Sequence, residues 1–206
     1  MNAGDRAAHW DGVFGRLNED AVSWFEPEPV CSLELLDLAG VAHSDPIIDV
    51  GAGASRLVDA LLARAFADVT VLDVSNAGLA QARRRLGDSA AQVQWVVADL
   101  LSWRPARRYR AWHDRAVFHF LTDPADRMRY RDVLDRALMP DGRIVIGTFA
   151  ADGPEQCSGL PAARYSPEAL TAAFGPNVEP LGHRRELHRT PSGGVQPFTW
   201  MVLRRL

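Results

Sequence analysis

Ile47-Ile48-Asp49-Val50-Gly51-Ala52-Gly53-Ala54-Ser55 is the stretch on which the fold turns. Its first four residues read as a short buried strand that ends beside an acid. The two glycines let the backbone turn sharply and approach a ligand that a Cβ atom would hold off. Ser55 stands where the next helix needs a cap, and that helix would turn its N-terminal amides toward an anionic group.

Outward from this turn the same alternation repeats. An amphipathic helix is expected over 55–65, with Leu57, Leu61 and Leu62 on one side, and then a strand at 69–72 and a helix at 76–86. Strands at 93–97 and 111–114 follow. A charged helix over 123–138 is expected to stop at Pro140-Asp141-Gly142, and a β-branched strand at 143–149 comes next. Strand–helix alternation of this kind gives a parallel sheet covered by helices on both faces. The end of the chain differs: 179–190 and 195–203 flank Pro191-Ser192-Gly193-Gly194, the pattern of an antiparallel hairpin. Ahead of the alternation, helices are expected over 5–16 and 30–39 around a turn at Trp24, Phe25 and Pro27. Leu33, Leu35, Leu36 and Leu38 are the expected core contacts of the second.

Composition narrows the functional classes. A chain of 206 residues, 47% hydrophobic and 24% charged, is the size of one globular domain with a real core. No apolar run approaches the roughly 20 residues that span a bilayer, and Met1-Asn2-Ala3-Gly4-Asp5-Arg6 lacks a signal-peptide layout. The two cysteines, Cys31 and Cys157, suggest no disulfide framework, so a reducing cytoplasm is the expected compartment. A net charge of −3 gives no reason to expect nucleic acid as partner. All 23 basic residues are arginine, which excludes Schiff-base or P-loop lysine chemistry on this chain.

Acids recur at the expected strand ends. Asp73 closes the second strand, 20 residues past Gly53, where a carboxylate can accept from both hydroxyls of a ribose. Asp99 ends the third strand in Val96-Val97-Ala98-Asp99-Leu100, and Asp114 ends the fourth in Ala111-Trp112-His113-Asp114-Arg115. Strand alternation then points His113 to the opposite face from Asp114. A dinucleotide fingerprint would need glycine at 56, where Arg56 stands.

The Gly-x-Gly turn, the successive acids and the terminal hairpin together resemble the class I, Rossmann-like S-adenosylmethionine-dependent methyltransferases. Over most of the chain His9-Trp10, Ser23-Trp24-Phe25, Trp112 to Leu121, Cys157-Ser158-Gly159-Leu160-Pro161 and His188-Arg189-Thr190-Pro191 resemble a small bacterial group of these enzymes. The spacing of Trp10 from Trp24-Phe25, and Asp114-Arg115-Ala116, are also similar to thiopurine S-methyltransferases and protein-lysine methyltransferases. The resemblance implies an α/β fold: a doubly wound, mostly parallel seven-stranded sheet with a terminal antiparallel hairpin, helices on both faces and an N-terminal helical lid. Residues 1–206 would form one domain, with 1–45 as lid and 46–206 as core.

It also implies S-adenosyl-L-methionine as cofactor, held by Asp49, Gly51, Gly53, Ser55, Asp73, Val74, Asp99, Leu100 and Asp114. Asp49 would lie near the ammonium, Asp99 would receive the adenine amino group, and Asp114 would face the methyl-transfer site. Trp10, Trp24 and Phe25 would shield the sulfonium from the lid. His119, five residues past Asp114, is expected either as the general base for an amine or hydroxyl acceptor, with Asp114 beside it, or as a histidine packed under the lid. The glycine- and proline-rich segment 150–164 is the expected substrate loop, with Cys157, Arg164 and Tyr165 toward the acceptor. Cys157 is expected as a small buried side chain rather than a nucleophile. His183 and His188 lack obvious metal-ligand company, so no metal is expected. The acceptor is expected to be a small molecule. A protein side chain, a non-catalytic binding module and an NAD-dependent oxidoreductase are the rivals, and oligomeric state is left open.

Overall fold

The structure is a computed structural model that describes residues 2–206, so Met1 lies outside the described residues. Helices α1 (Ala3–Arg16) and α2 (Val30–Leu38) precede the sheet. Then come β1 (Ile47–Val50), α3 (Leu57–Ala63), β2 (Val69–Asp73), α4 (Asn76–Leu86), β3 (Val93–Val97), β4 (Tyr109–Arg115), α5 (Pro124–Ala137) and β5 (Leu138–Phe149). A small pair, β6 (Gln156–Cys157) and β7 (Leu160–Pro161), lies in the segment before α6 (Pro167–Phe174). The hairpin of β8 (Val178–Arg189) and β9 (Val195–Arg205) ends the chain.

Local chemistry accounts for the helix ends. Asn2 and Asp5 form a reciprocal capping box at α1. The Ser75, Asp123 and Ser166 side chains cap α4, α5 and α6, the last two with proline in the first turn. Arg83, Arg84 and Arg85 sit in the last turn of α4, where cations complement the helix dipole.

The seven-stranded sheet runs β3-β2-β1-β4-β5-β9-β8. Strands β1 to β5 pair in parallel, while β9 pairs antiparallel with both β5 and β8. The central strands are apolar on both faces because helices cover both. Ile47, Val71, Val145 and Trp200 pack on one side with α2 and α3. Ile48, Val50, Trp112 and Ile146 pack on the other with α5 and α6. Among the described residues no helix is long and apolar enough to cross a membrane.

Two expectations need correction. Pro140-Asp141-Gly142 is not a separate turn: β5 starts at Leu138, immediately after α5. Tyr109 pairs with Leu138 and Ala111 with Arg143, so the residues between Leu138 and Arg143 bulge out of the ladder, with Asp141 at φ +60°. Leu38 is not a core residue; it is exposed at the end of α2, near Gly182.

Gly147 on β5 lies opposite Trp200 on β9, and a Cβ there would come within 2.7 Å of the indole ring. Trp200 is fully buried and has no room to retreat. Gly147→Ala should therefore destabilise the fold by about 1–3 kcal/mol, measured as a lower urea midpoint with unchanged m-value.

Candidate active site

Strand order reverses between β1 and β4, and at such a switch point the loops leaving the strand ends diverge and open a crevice. The principal cleft lies there, enclosing about 1050 Å³ between its walls and its open mouth. Its floor is the glycine turn. Gly51 and Gly53 have positive φ, +66° and +50°. A Cβ at Gly51 would strike Val117, and one at Gly53 would come within 2.5 Å of the Phe14 ring. Ser55 also lines the cleft, and its Oγ accepts from the Leu57 amide at 3.1 Å.

Asp73 holds this turn in place. Its Oδ2 accepts from the Gly53 amide at 2.8 Å and its Oδ1 from the Ser75 amide at 2.7 Å. Burial pushes its carboxyl up to about 6 despite these bonds. Val74 continues the same wall, and Asp99, Leu100 and Leu101 form the wall beyond it. Asp99 Oδ1 accepts from the Leu101 amide at 2.9 Å, and its Oδ2 lies 2.6 Å from the Arg6 guanidinium of α1.

The N-terminal helix roofs the cleft. Asp11 accepts from the Ser75 hydroxyl at 2.7 Å and the Ala77 amide at 3.0 Å, and Gln81 donates to the Phe14 carbonyl at 2.7 Å. Trp10, Phe14, Trp24 and Phe120 line the cavity and pack ring to ring, with Trp10 centroids 5.8 Å from Trp24 and 5.2 Å from Phe120. Phe25, expected beside them, instead stacks with Arg56.

At the fourth strand the expected faces are exchanged. Asp49 and His113 are register partners on adjacent strands, so both side chains share one face, and both line the cleft. His113 Nδ1 lies 2.7 Å from Asp49 Oδ1, and its Nε2 lies 3.0 Å from Ser32 Oγ on α2. Asp114 points the other way and is not a wall of the cleft. It accepts from the Tyr130 hydroxyl at 2.7 Å and the Val117 amide at 2.9 Å, and burial pushes its carboxyl up to about 6. Asp114 therefore anchors α5 and the loop after β4.

For His119 the structure matches the packing alternative rather than the base. Its ring is fully buried between Phe120 and Phe149, takes a long bond of 3.4 Å from the Phe149 amide, and does not line the cleft. Burial, helped by Arg115, lowers it to about 3. A ring enclosed in this way stands away from the cleft, poorly placed to take a proton from an acceptor there.

The part of the cleft beside Trp24 holds side chains to which sequence reasoning assigned no role. Arg115 lines the cleft, donates to the Trp24 carbonyl at 2.8 Å, and lies 3.1 Å from Glu26. Of the substrate-loop candidates only Cys157 reaches the cleft, its thiol raised to about 11 by burial; Arg164 pairs with Glu155, and Tyr165 sits in the core beneath α6. His188 does have acidic company: it gathers with Glu26 and Glu186 within 4.8 Å. Arg115 beside Glu26 and the Trp200 indole N–H on Glu186, at 2.7 Å, already supply that cluster with donors. Burial and the facing Glu186 raise Glu26 to about 7.

Residues 47–142 match the family model of a methyltransferase domain. No protein of curated function matches the sequence. Among solved structures, the fold is similar to a SAM-dependent methyltransferase from Anabaena variabilis, with TM-score 0.74, 18% identity, and coverage of 100% of this chain and 96% of that one. It is similar to the N-methyltransferase NodS from Bradyrhizobium japonicum, solved with S-adenosyl-L-homocysteine, with TM-score 0.72, 16% identity, and coverage of 96% and 98%. It is also similar to 1,6-didemethyltoxoflavin-N1-methyltransferase from Burkholderia thailandensis, with TM-score 0.65, 20% identity, and coverage of 100% and 91%. The fold is that of class I methyltransferases, and residues 47–142 match a methyltransferase domain.

The buried Asp114 sets a pH dependence. Its folded pKa is raised, so its contribution to stability is complete below about pH 4 and is lost as pH rises through about 6. The stability of wild type relative to Asp114→Asn should fall by about 2–3 kcal/mol from pH 4 to pH 7, read from urea unfolding at both pH values. A difference independent of pH would show that Asp114 does not titrate there.

Proposed function

We propose that this protein transfers the methyl group of S-adenosylmethionine directly to a small-molecule acceptor. The observation that carries this reading is the aromatic wall: Trp10, Phe14, Trp24 and Phe120 pack ring to ring along the cleft and narrow it, which favours a compact acceptor over a polypeptide. Two of the solved relatives carry names that point the same way, an N-methyltransferase and a didemethyltoxoflavin N1-methyltransferase.

In this reading the cofactor lies along the strand ends. The ammonium sits against Asp49 and the methionine chain against Gly51, Gly53 and Ser55. The ribose hydroxyls donate to Asp73 beside Val74, and adenine lies between Leu100, Leu101 and Asp99. Arg6 already holds Asp99, so the adenine amino group shares that carboxylate with the lid. The sulfonium then faces Trp24, Arg115 and Cys157.

The cofactor supplies the activated methyl group, and the chain positions the acceptor in line and excludes water. With His119 and Asp114 turned away, neither serves as base at the methyl. The acceptor attacks with its own lone pair, and its proton is lost to solvent or beforehand.

Calorimetry should show micromolar binding of S-adenosylhomocysteine and none of NAD. Asp73→Ala should weaken that binding about 10- to 100-fold, the loss of a charged acceptor. Incubation with methyl-labelled S-adenosylmethionine should label a member of a panel of small thiols, amines and phenols. Label appearing only in protein from an extract would overturn the small-molecule reading.

A further inference from the structure

Asp49 sits at the end of β1, and its nearest polar neighbour comes from β4. The strands pair in parallel with Asp49 opposite His113. Both residues are nearly inaccessible, at 3% and 2% exposure. An ionised carboxylate only accepts hydrogen bonds, so Nδ1 of His113 carries the proton in this 2.7 Å contact whatever the charge of the ring. The other ring nitrogen is not left idle: Ser32 of α2, 1% exposed and not a wall of the cleft, lies 3.0 Å from Nε2. Trp200 packs against the imidazole, its centroid 5.9 Å away and its plane tilted by 38°. The ring is thus held at both nitrogens and along one side.

We infer that His113, held by Ser32, is a positioning residue that orients the Asp49 carboxylate toward the amino-acid end of S-adenosylmethionine. The inference rests on the placement of the cofactor ammonium at Asp49. The Nδ1–H bond engages Oδ1 and stops the carboxylate from rotating, and the second oxygen is the acceptor presented to the ammonium. Orientation matters because a misdirected carboxylate must spend part of its attraction on reorganising when ligand arrives. Ser32 acts one step further back, fixing the ring as a second partner fixes a metal-binding or catalytic histidine. Hydrogen bonds link Ser32 to His113 and His113 to Asp49, so a buried α2 residue bears on ligand affinity.

Two ligands separate this role from simple packing. S-adenosylhomocysteine carries the amino-acid end, whereas 5′-methylthioadenosine keeps the nucleoside and sulfur but has no ammonium. Binding of each is measured by calorimetry to wild type, Asp49→Ala, His113→Phe, His113→Asn and Ser32→Ala, with folding checked by circular dichroism. Asp49→Ala should lose at least tenfold in affinity for S-adenosylhomocysteine while 5′-methylthioadenosine changes by less than twofold. His113→Phe should lose at least fivefold with the same selectivity. His113→Asn, whose side-chain N–H stands near the place of Nδ1–H, should recover most of that loss. Ser32→Ala should show a smaller loss, again confined to S-adenosylhomocysteine.

If Asp49→Ala is selective but His113→Phe weakens both ligands alike, or neither, His113 is a packing residue and the inference is overturned while the cofactor placement stands. If Asp49→Ala is not selective, the ammonium lies elsewhere and both fall. Should His113→Phe fail to fold, His113→Asn and Ser32→Ala carry the decision: selectivity in Ser32→Ala supports the role, and its absence ends it.

Discussion

Beside β1 the chain changes direction across the sheet: β2 and β3 lie on one side, and β4, β5 and the hairpin on the other. Loops leaving neighbouring strand ends there run to opposite faces, so nothing fills the space above β1. The glycine turn exists to exploit that gap, and its two positive-φ residues keep it free of side chains. Asp49, Asp73 and His113 reach the same gap because their strands are parallel and end at nearly one level. Remove the reversal, and the acids would sit under helices instead of in a cleft.

The cleft is closed by contacts that are polar at their edges and aromatic at their centre. Arg6 with Asp99, Asp11 with Ser75 and Gln81 with the Phe14 carbonyl tie α1 to the core. Between them lie Trp10, Phe14 and Trp24, which bury large area but make no directional bond in the cleft. At the other end Arg115 holds the Trp24 carbonyl and His188 the Ser23 carbonyl, so the turn that carries Trp24 is fastened from β4 and β8 together.

Burial gives this site its electrostatic character. Asp73 and Asp114 are both lifted to about 6 because water is excluded from them, yet each is surrounded by donors that stabilise its charge. Their duties differ. Asp73 shapes the turn and lines the cleft, whereas Asp114 is spent on Tyr130 and the loop after β4. Glu26, raised to about 7 by burial, stands beside Glu186 and Arg115, and Arg115 in turn lines the cleft.

The sequence by itself determined what depends on neighbours along the chain. The strand and glycine turn of residues 47–55, the helix after Ser75 and the terminal hairpin all follow from turn chemistry and periodicity that a few consecutive residues contain. The positions of the acids at 49, 73 and 99 were legible because each lies within two residues of its own strand's end. What failed needed a partner from elsewhere. Alternation correctly set His113 and Asp114 on opposite faces, but only pairing with Asp49 on β1 decided which face looks into the cleft. The motif around His119 could not show that Phe149, 30 residues later, would enclose the ring. Phe14, Arg6 and Arg115 gave no local signal, since their places depend on α1 folding back onto α4 and on the β8–β9 edge. Register and lid docking are long-range events, and only the assembled tertiary structure fixes which side chains a ligand will meet.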